Sequence, residues 1–107
     1  MSQPDFDALA DRALEQIQRA LDASGVEVDI EAKAEGVIEL EFEDGSRMVI
    51  NRHRAAGEIW VAARSGGFHY RWDGAAWRDT RDGSELFAAL SRLVSAQGGK
   101  PVRLAPH

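Results

Sequence analysis

The sequence predicts a single α+β domain, a two-layer sandwich in which two helices pack on one face of an antiparallel five- to six-stranded sheet. Three observations predict this fold class. Apolar residues recur with helical spacing near both ends of the 107-residue chain. Between those ends, apolar and polar residues alternate with a period of two. Short turns containing glycine separate the alternating runs, and such short connections make neighbouring strands antiparallel.

The first helix is predicted over residues 4–23. Its acidic side chains Asp11, Glu15 and Asp22 fall within about 40° of one another, away from the apolar stripe. Ser24 and Gly25 supply the end of the helix, because glycine tolerates a left-handed cap. The stripe itself follows spacings of one, three and four residues and comprises Phe6, Leu9, Ala10, Ala13, Leu14, Ile17 and Leu21.

The alternating segments predict strands at residues 26–34, 38–43, 47–51, 59–63 and 68–72, with a short strand at Trp77 and Arg78. Asp44 and Gly45 predict a tight hairpin turn. Residues 52–57, which include His53, are predicted to form a loop. Outward positions of the first two strands are mostly acidic, which an exposed sheet face alone does not require.

The second helix is predicted to run from a capping box at Asp82 and Glu85 to about Ala96. Val102 and Leu104 form a short apolar tail that can pack against this helix. We expect residues 1–107 to form one domain, with 105–107 as a frayed end.

Charge is divided unevenly along the chain. Residues 1–44 hold thirteen of the 18 acidic residues and three of the 13 basic ones, which gives a formal charge of about −10 against about +5 for the remainder. Such a field favours cations or a basic partner and disfavours nucleic acid at the acidic end.

Several function classes lack support in the sequence. The chain has no cysteine and therefore no thiolate site or thiol nucleophile. It has no nucleophile elbow, P-loop or dinucleotide fingerprint, so we expect no enzyme. No apolar run approaches membrane-spanning length, and residues 1–5 lack the basic and apolar regions of a secretory signal, so we expect a cytoplasmic protein without membrane contact.

Two surface features are open to both functional and structural interpretations. The acidic residues can attract hard cations, or they can simply solvate a half-exposed face. Trp60 is predicted to point outward between the inward-facing Ile59 and Val61, either as a contact anchor or as a ring lying over its neighbours. Arg47, Asn51 and His69 share its outward parity.

The chain resembles the frataxin family, in its bacterial (CyaY-type) form. The resemblance runs in register over nearly the whole sequence, with no large insertion. It is carried by Phe6-x-x-Leu9-Ala10-Asp11, Gly36-Val37-Ile38-Glu39-Leu40, Asp44-Gly45-Ser46, Val49-Ile50-Asn51-Arg52, Ile59-Trp60-Val61-Ala62, Ser65-Gly66-Gly67-Phe68-His69-Tyr70 and Gly83-x-Glu85-Leu86.

The resemblance implies an iron-binding regulator of iron–sulfur cluster assembly that docks on a cysteine desulfurase and its scaffold protein. It implies weak binding of Fe²⁺ or Fe³⁺, with other divalent cations possible, and a metal-free monomer that iron can drive into oligomers. The matching metal positions are Asp22, Glu27, Asp29 and Glu31, followed by Glu15 and Asp11. The matching partner-binding positions are Trp60, Asn51, Arg47, His69, Asp22 and Glu15.

Some residues depart from the family pattern. Gln18, Arg19 and Ala23 interrupt the acidic ridge of the first helix, while His53 and Glu58 stand where glutamine is usual. An alternative function is iron storage or delivery, with iron-driven oligomerisation or weak ferroxidase activity. A ferroxidase centre needs bridging carboxylates and usually histidines held inside a bundle, whereas these acids are predicted to be exposed.

Overall fold

A computed structural model describes residues 2–106 of the chain. Two helices flank six strands in the sequence. The elements are α1 (Gln3–Ser24), β1 (Val28–Lys33), β2 (Val37–Phe42), β3 (Arg47–His53), β4 (Glu58–Ala63), β5 (Gly66–Trp72), β6 (Trp77–Asp79) and α2 (Leu86–Gly98).

The six strands form one antiparallel sheet whose spatial order, β1-β2-β3-β4-β5-β6, follows the order in the chain. Side chains alternate between its two faces, and the helices cover one of them. The core lies between the layers and includes Ile17, Ile38, Ile50, Val61 and Leu90, each no more than 2% exposed. The predicted fold class is confirmed, with six strands.

Helix α1 agrees with its prediction within one residue at each end. Ser2 caps its start by accepting a hydrogen bond from the Asp5 amide at 3.2 Å. Gly25 ends it in the left-handed region, at a φ of 74°. The predicted stripe faces the sheet, and six of its seven residues are buried while Leu9 is half-buried.

Strand boundaries differ from the prediction by one or two residues, and two of these differences move candidate site residues. Strand β1 begins at Val28 rather than residue 26, so Glu27 precedes the strand instead of lying on it. Strand β3 continues through Arg52 to His53, because both residues find partners opposite them on β4. His53 therefore belongs to the sheet and not to a loop.

The predicted capping box of α2 is wrong. Glu85 itself is the N-cap, and its carboxylate accepts hydrogen bonds from the amides of Phe87 at 2.8 Å and Ala88 at 3.0 Å. Asp82 instead accepts from the Ser84 amide at 2.9 Å, within the turn before the helix. A carboxylate committed to this turn cannot also cap the helix three residues later.

The segment after α2 packs against that helix, as predicted. Leu104 is buried, and the hydroxyl of Ser91 accepts from its amide at 2.8 Å while donating to the Phe87 carbonyl at 2.8 Å. The Ser95 hydroxyl accepts from the Val102 amide at 2.8 Å and donates to the Val102 carbonyl at 3.0 Å. Ala105 and Pro106 are exposed outside any element, and His107 lies outside the described residues.

Candidate functional site

Carboxylates on β1 and β2, and directly beside these strands, lie along one side of the sheet, because β1 is an edge strand. Helix α1 adds the exposed carboxylates of Asp11, Glu15 and Asp22. We call this set the acidic edge. Its members are Asp11, Glu15, Asp22, Glu27, Asp29, Glu31, Glu39, Glu41 and Glu43.

Strand register places acids directly opposite acids on the outward face. Asp29 pairs with Glu41, and Glu31 pairs with Glu39. Like charges at such positions destabilise a sheet. Two cations relieve one pair: Lys33 and Arg47 each contact the Glu39 carboxylate at 2.8 Å.

The ion pairs leave the acidic edge unevenly compensated. Lys33, followed by Arg47, holds the pKa of Glu39 below its ordinary value. Within residues 2–106, Asp29 and Glu41 form no ion pair. The uncompensated charge of β1 and β2 is therefore concentrated at the end of the strands nearer Val28.

Glu27 and Glu43 interact across the same end of the edge. A hydrogen bond between the two carboxyl groups raises the pKa of Glu43 and lowers that of Glu27. Lys100 lies 3.7 Å from Glu27 and is itself well exposed. Two carboxyl groups that compete for one proton mark a place where a cation can relieve repulsion.

Asp11 differs from the other predicted metal residues, because it already has a cationic partner. The guanidinium of Arg52 contacts its carboxylate after crossing over Gly36. A Cβ at position 36 would lie 2.6 Å from the Arg52 side chain, so this path needs glycine. Asp11 is consequently the least available of the predicted carboxylate ligands.

The acidic edge is not a preformed metal cage. In the described part of the chain, no three His, Asp or Glu side chains converge closely enough to hold a metal ion. Glu15 and Asp22 are exposed on α1, where they add to the field without meeting the strand acids in one cluster. This arrangement can concentrate cations, but it cannot impose a fixed coordination geometry. Acidic side chains also protect an edge strand from pairing with another sheet.

The centre of the outward sheet face carries a second feature. Asn51, Trp60 and His69 lie side by side on β3, β4 and β5. The Trp60 ring is sandwiched between imidazoles, with His53 at a centroid distance of 3.7 Å and His69 at 4.4 Å. Both imidazoles lie within 10° of parallel to the indole. Trp60 points outward as predicted and is half-buried.

Glu58 lies beneath this ring stack, and its side chain is engaged at both oxygens. Oε1 accepts a hydrogen bond from Trp60 Nε1 at 2.9 Å and lies 3.7 Å from His69 Nδ1. Oε2 accepts from the Arg71 guanidinium at 2.6 Å. Burial raises the pKa of Glu58, but the hydrogen bonds from Trp60 and Arg71 outweigh it and leave that pKa below its ordinary value. We call Asn51, His53, Glu58, Trp60 and His69 the aromatic patch.

The predicted partner residues separate into two places. Asn51, Trp60 and His69 belong to the aromatic patch, while Asp22 and Glu15 lie on α1. Arg47 is four residues from Asn51 along β3, about 13 Å away at strand spacing, and it contacts Glu39 of the acidic edge. His53 and Glu58 were not predicted to belong to the patch. Extending the parity of Asn51 and Trp60 by one step along each strand would have found both.

None of the described helices is long and apolar enough to cross a membrane.

The family model of the frataxin-like domain matches residues 1–100. The iron–sulfur cluster assembly protein CyaY of Dechloromonas aromatica is 53% identical over 104 residues, covering 97% of this chain and 99% of that protein.

Solved structures give the same result. A frataxin from Psychromonas ingrahamii matches with a TM-score of 0.89 and 30% identity over 98% of this chain and 99% of that one. A trimeric frataxin from Saccharomyces cerevisiae, complexed with ferrous iron, shares the fold with a TM-score of 0.66 at 24% identity over 94% of this chain and 88% of its own. The family match, the full-length relative and the shared six-stranded architecture agree, and the chain belongs to the frataxin family.

Proposed function

We propose that this protein is a non-enzymatic, iron-responsive adaptor of iron–sulfur cluster assembly. The acidic edge docks on a basic surface of the cysteine desulfurase, and the aromatic patch contacts the desulfurase–scaffold complex at a second zone. The observation that carries this proposal is the separation of an only partly compensated acidic edge from a half-buried tryptophan on the open sheet face. The name of the full-length relative, an iron–sulfur cluster assembly protein, supports the same process.

Iron acts in this proposal as a weakly bound ligand and not as a resident cofactor. Asp22, Glu27, Asp29 and Glu31 supply the first contacts, and Glu15 and Asp11 supply weaker ones. Oxygen ligands suit iron and other hard cations, yet no group of three converges within residues 2–106. Binding is therefore modest in affinity and poor in selectivity. Neutralisation of the repelling pairs stabilises the folded protein by mass action.

We further propose a cytoplasmic protein that is monomeric without metal and does not bind nucleic acid. An iron store or ferroxidase is the less supported alternative. Such activity needs bridging carboxylates in an enclosed site, whereas the carboxylates of the acidic edge are mainly exposed.

The metal component is tested by titrating Fe²⁺ anaerobically while recording backbone amide spectra. We expect the amides of residues 22–31 to broaden first, with smaller changes near Glu15. Asp11 should respond last, because Arg52 already neutralises it. Broadening centred on His53 or His69, with residues 11–31 unaffected, would refute the carboxylate site.

The partner component is tested by binding to the purified desulfurase–scaffold complex. Trp60→Ala should chiefly raise the dissociation rate, by about 30-fold if Trp60 is a buried anchor. The control is Trp72→Phe, which alters an indole of β5 outside the aromatic patch. A folded Trp60→Ala variant with wild-type affinity would show that Trp60 is not a partner contact and only lies over its own sheet.

A further inference from the structure

Stacking fixes the plane of the Trp60 ring but does not decide which edge of the ring faces outward. The two imidazoles fix the plane of the indole by covering both faces. A half-turn about the bond between Cβ and the ring would preserve that plane and would leave the ring between the same two imidazoles. The half-turn would nevertheless exchange the edge that carries Nε1 with the opposite edge. A partner that reaches Trp60 meets an edge, because both faces are already covered.

One hydrogen bond distinguishes the two orientations. Nε1 donates to Oε1 of Glu58 at 2.9 Å, and the half-turned ring would carry Nε1 away from that oxygen. The carboxylate cannot follow the ring, since Glu58 is only 5% exposed and Arg71 holds its other oxygen at 2.6 Å. A buried carboxylate without its donor would also be costly.

We propose that Glu58 is the positioning residue of the aromatic patch: its buried carboxylate selects the orientation of the Trp60 indole and thereby the edge that a docking partner meets. The proposal rests on the proposed function, since it assumes that Trp60 contacts a partner. Glu58 acts through Trp60 and need not touch the partner itself.

The first measurement uses the free protein and follows the indole N–H resonances of its three tryptophans. Trp60→Phe assigns the Trp60 signal. In Glu58→Leu, which removes the acceptor, we expect that signal to move upfield and its hydrogen exchange to accelerate. Glu58→Gln keeps an acceptor oxygen but loses the charge, and should produce an intermediate shift. An unchanged Trp60 signal in both variants would overturn the proposal.

A matched control separates positioning from a general loss of stability. Asp79 is a second buried carboxylate of the sheet, 7% exposed, and its Oδ1 accepts from the Arg81 amide at 2.7 Å. Asp79→Asn should lower stability without moving the Trp60 resonance. If Glu58→Leu does not fold, Glu58→Gln alone decides the question, because its side chain has nearly the same shape.

The second measurement is dissociation from the desulfurase–scaffold complex. Loss of one positioning hydrogen bond should raise the dissociation rate of Glu58→Leu by about three- to tenfold, with Glu58→Gln between it and wild type and Asp79→Asn unchanged. Wild-type dissociation in Glu58→Leu, while Trp60→Ala dissociates faster, overturns the proposal and leaves the proposed function standing. Wild-type dissociation in Trp60→Ala overturns the partner role of the patch and this proposal together.

Discussion

Tyr70 is completely buried, but its hydroxyl has no hydrogen-bond partner among residues 2–106. Burial, with a smaller contribution from Asp79, raises its pKa to about 12. The phenol therefore stays neutral at physiological pH, and its hydroxyl adds a polar group to the core without a compensating contact. An unsatisfied buried hydroxyl costs stability, while its apolar counterpart need not.

We expect Tyr70→Phe to leave the free energy of unfolding unchanged or to raise it by up to about 1 kcal/mol. The measurement is urea denaturation of both proteins. Phe87→Leu, at another buried ring, serves as the control for altered ring packing. A loss above 1 kcal/mol in Tyr70→Phe would reveal a hydrogen bond to the hydroxyl.

Glu43 provides a test of pH dependence. Its folded-state pKa is raised, chiefly by the hydrogen bond to Glu27, so the fold favours its protonated form. A raised carboxyl pKa stabilises the fold at low pH, and this contribution disappears as pH rises above the folded value. Glu43→Gln should therefore stabilise the protein at pH about 7 and give little change at pH about 4, near the ordinary glutamate pKa. Equal stabilisation at both pH values would contradict a proton shared between Glu43 and Glu27. Glu35→Gln, in the β1–β2 turn, is the control.

At the scale of elements, a buried amide joins α2 to two turns of the sheet. Gln97 is 6% exposed, and its Nε2 donates to Ser46 Oγ and to the Arg47 carbonyl, each at 3.0 Å. Its Oε1 accepts from the Arg64 amide at 3.2 Å. One side chain therefore fixes the end of the helix against the turns before β3 and after β4.

Gln97→Leu should lower the free energy of unfolding by about 1–3 kcal/mol, because it leaves buried backbone groups without partners. Gln18→Leu, at a half-buried position on α1, is the matched control and should change stability by no more than about 0.5 kcal/mol. Both costs can be measured by thermal or urea denaturation. A similar cost for the two variants would show that burial of the amide brings no specific stabilisation.

The sequence predicted the elements better than their ends. Helical spacing and strict alternation are long-range patterns, and each helix and strand that they predicted is present. The ends depend on local competition between partners. His53 extends β3 because Glu58 lies opposite it, and Glu85 caps α2 because Asp82 is already used in a turn.

The same limit applies to the candidate site. The outward position of Trp60 and the excess of acids could be predicted from parity and composition. Parity also placed His69 on the face of Trp60, but the prediction of a loop at residues 52–57 hid His53. The stacking of both imidazoles on Trp60 could not be predicted, since it depends on the register of three strands. The engagement of Asp11 by Arg52 also depends on residues 41 apart in the sequence.

At the scale of the whole molecule, the strand order turns a charge division along the chain into one across the sheet. The acids of β1 and β2 lie at one side of the outward face, whereas Arg71 and Arg78 face each other on β5 and β6. Residues 86–107, which form α2 and the tail, contain no acidic residue. The protein is therefore electrically polarised, and a charged partner can orient it before contact.

Reversing Glu15 and Asp22 to lysine should slow association with a basic desulfurase surface and weaken its dependence on salt. The dissociation rate should change less, because rim charges act mainly on encounter. Stopped-flow binding at several salt concentrations measures both effects. Arg92→Glu, an exposed position on α2, is the control and should leave the association rate near that of wild type. Clearly faster association in that variant would point to net charge and not to the acidic edge.

The strand order also bears on how the chain folds. Each strand pairs only with its neighbours in sequence, so the sheet can grow by closing short loops at small entropic cost. Helix α1 has no such local route: its ion pairs with the β3 segment, Asp11 with Arg52 and Asp7 with Arg54, span 41 and 47 residues. Contacts of high sequence separation slow folding. We therefore expect the hairpins to assemble early and α1, although synthesised before every strand, to be the last element to reach its place.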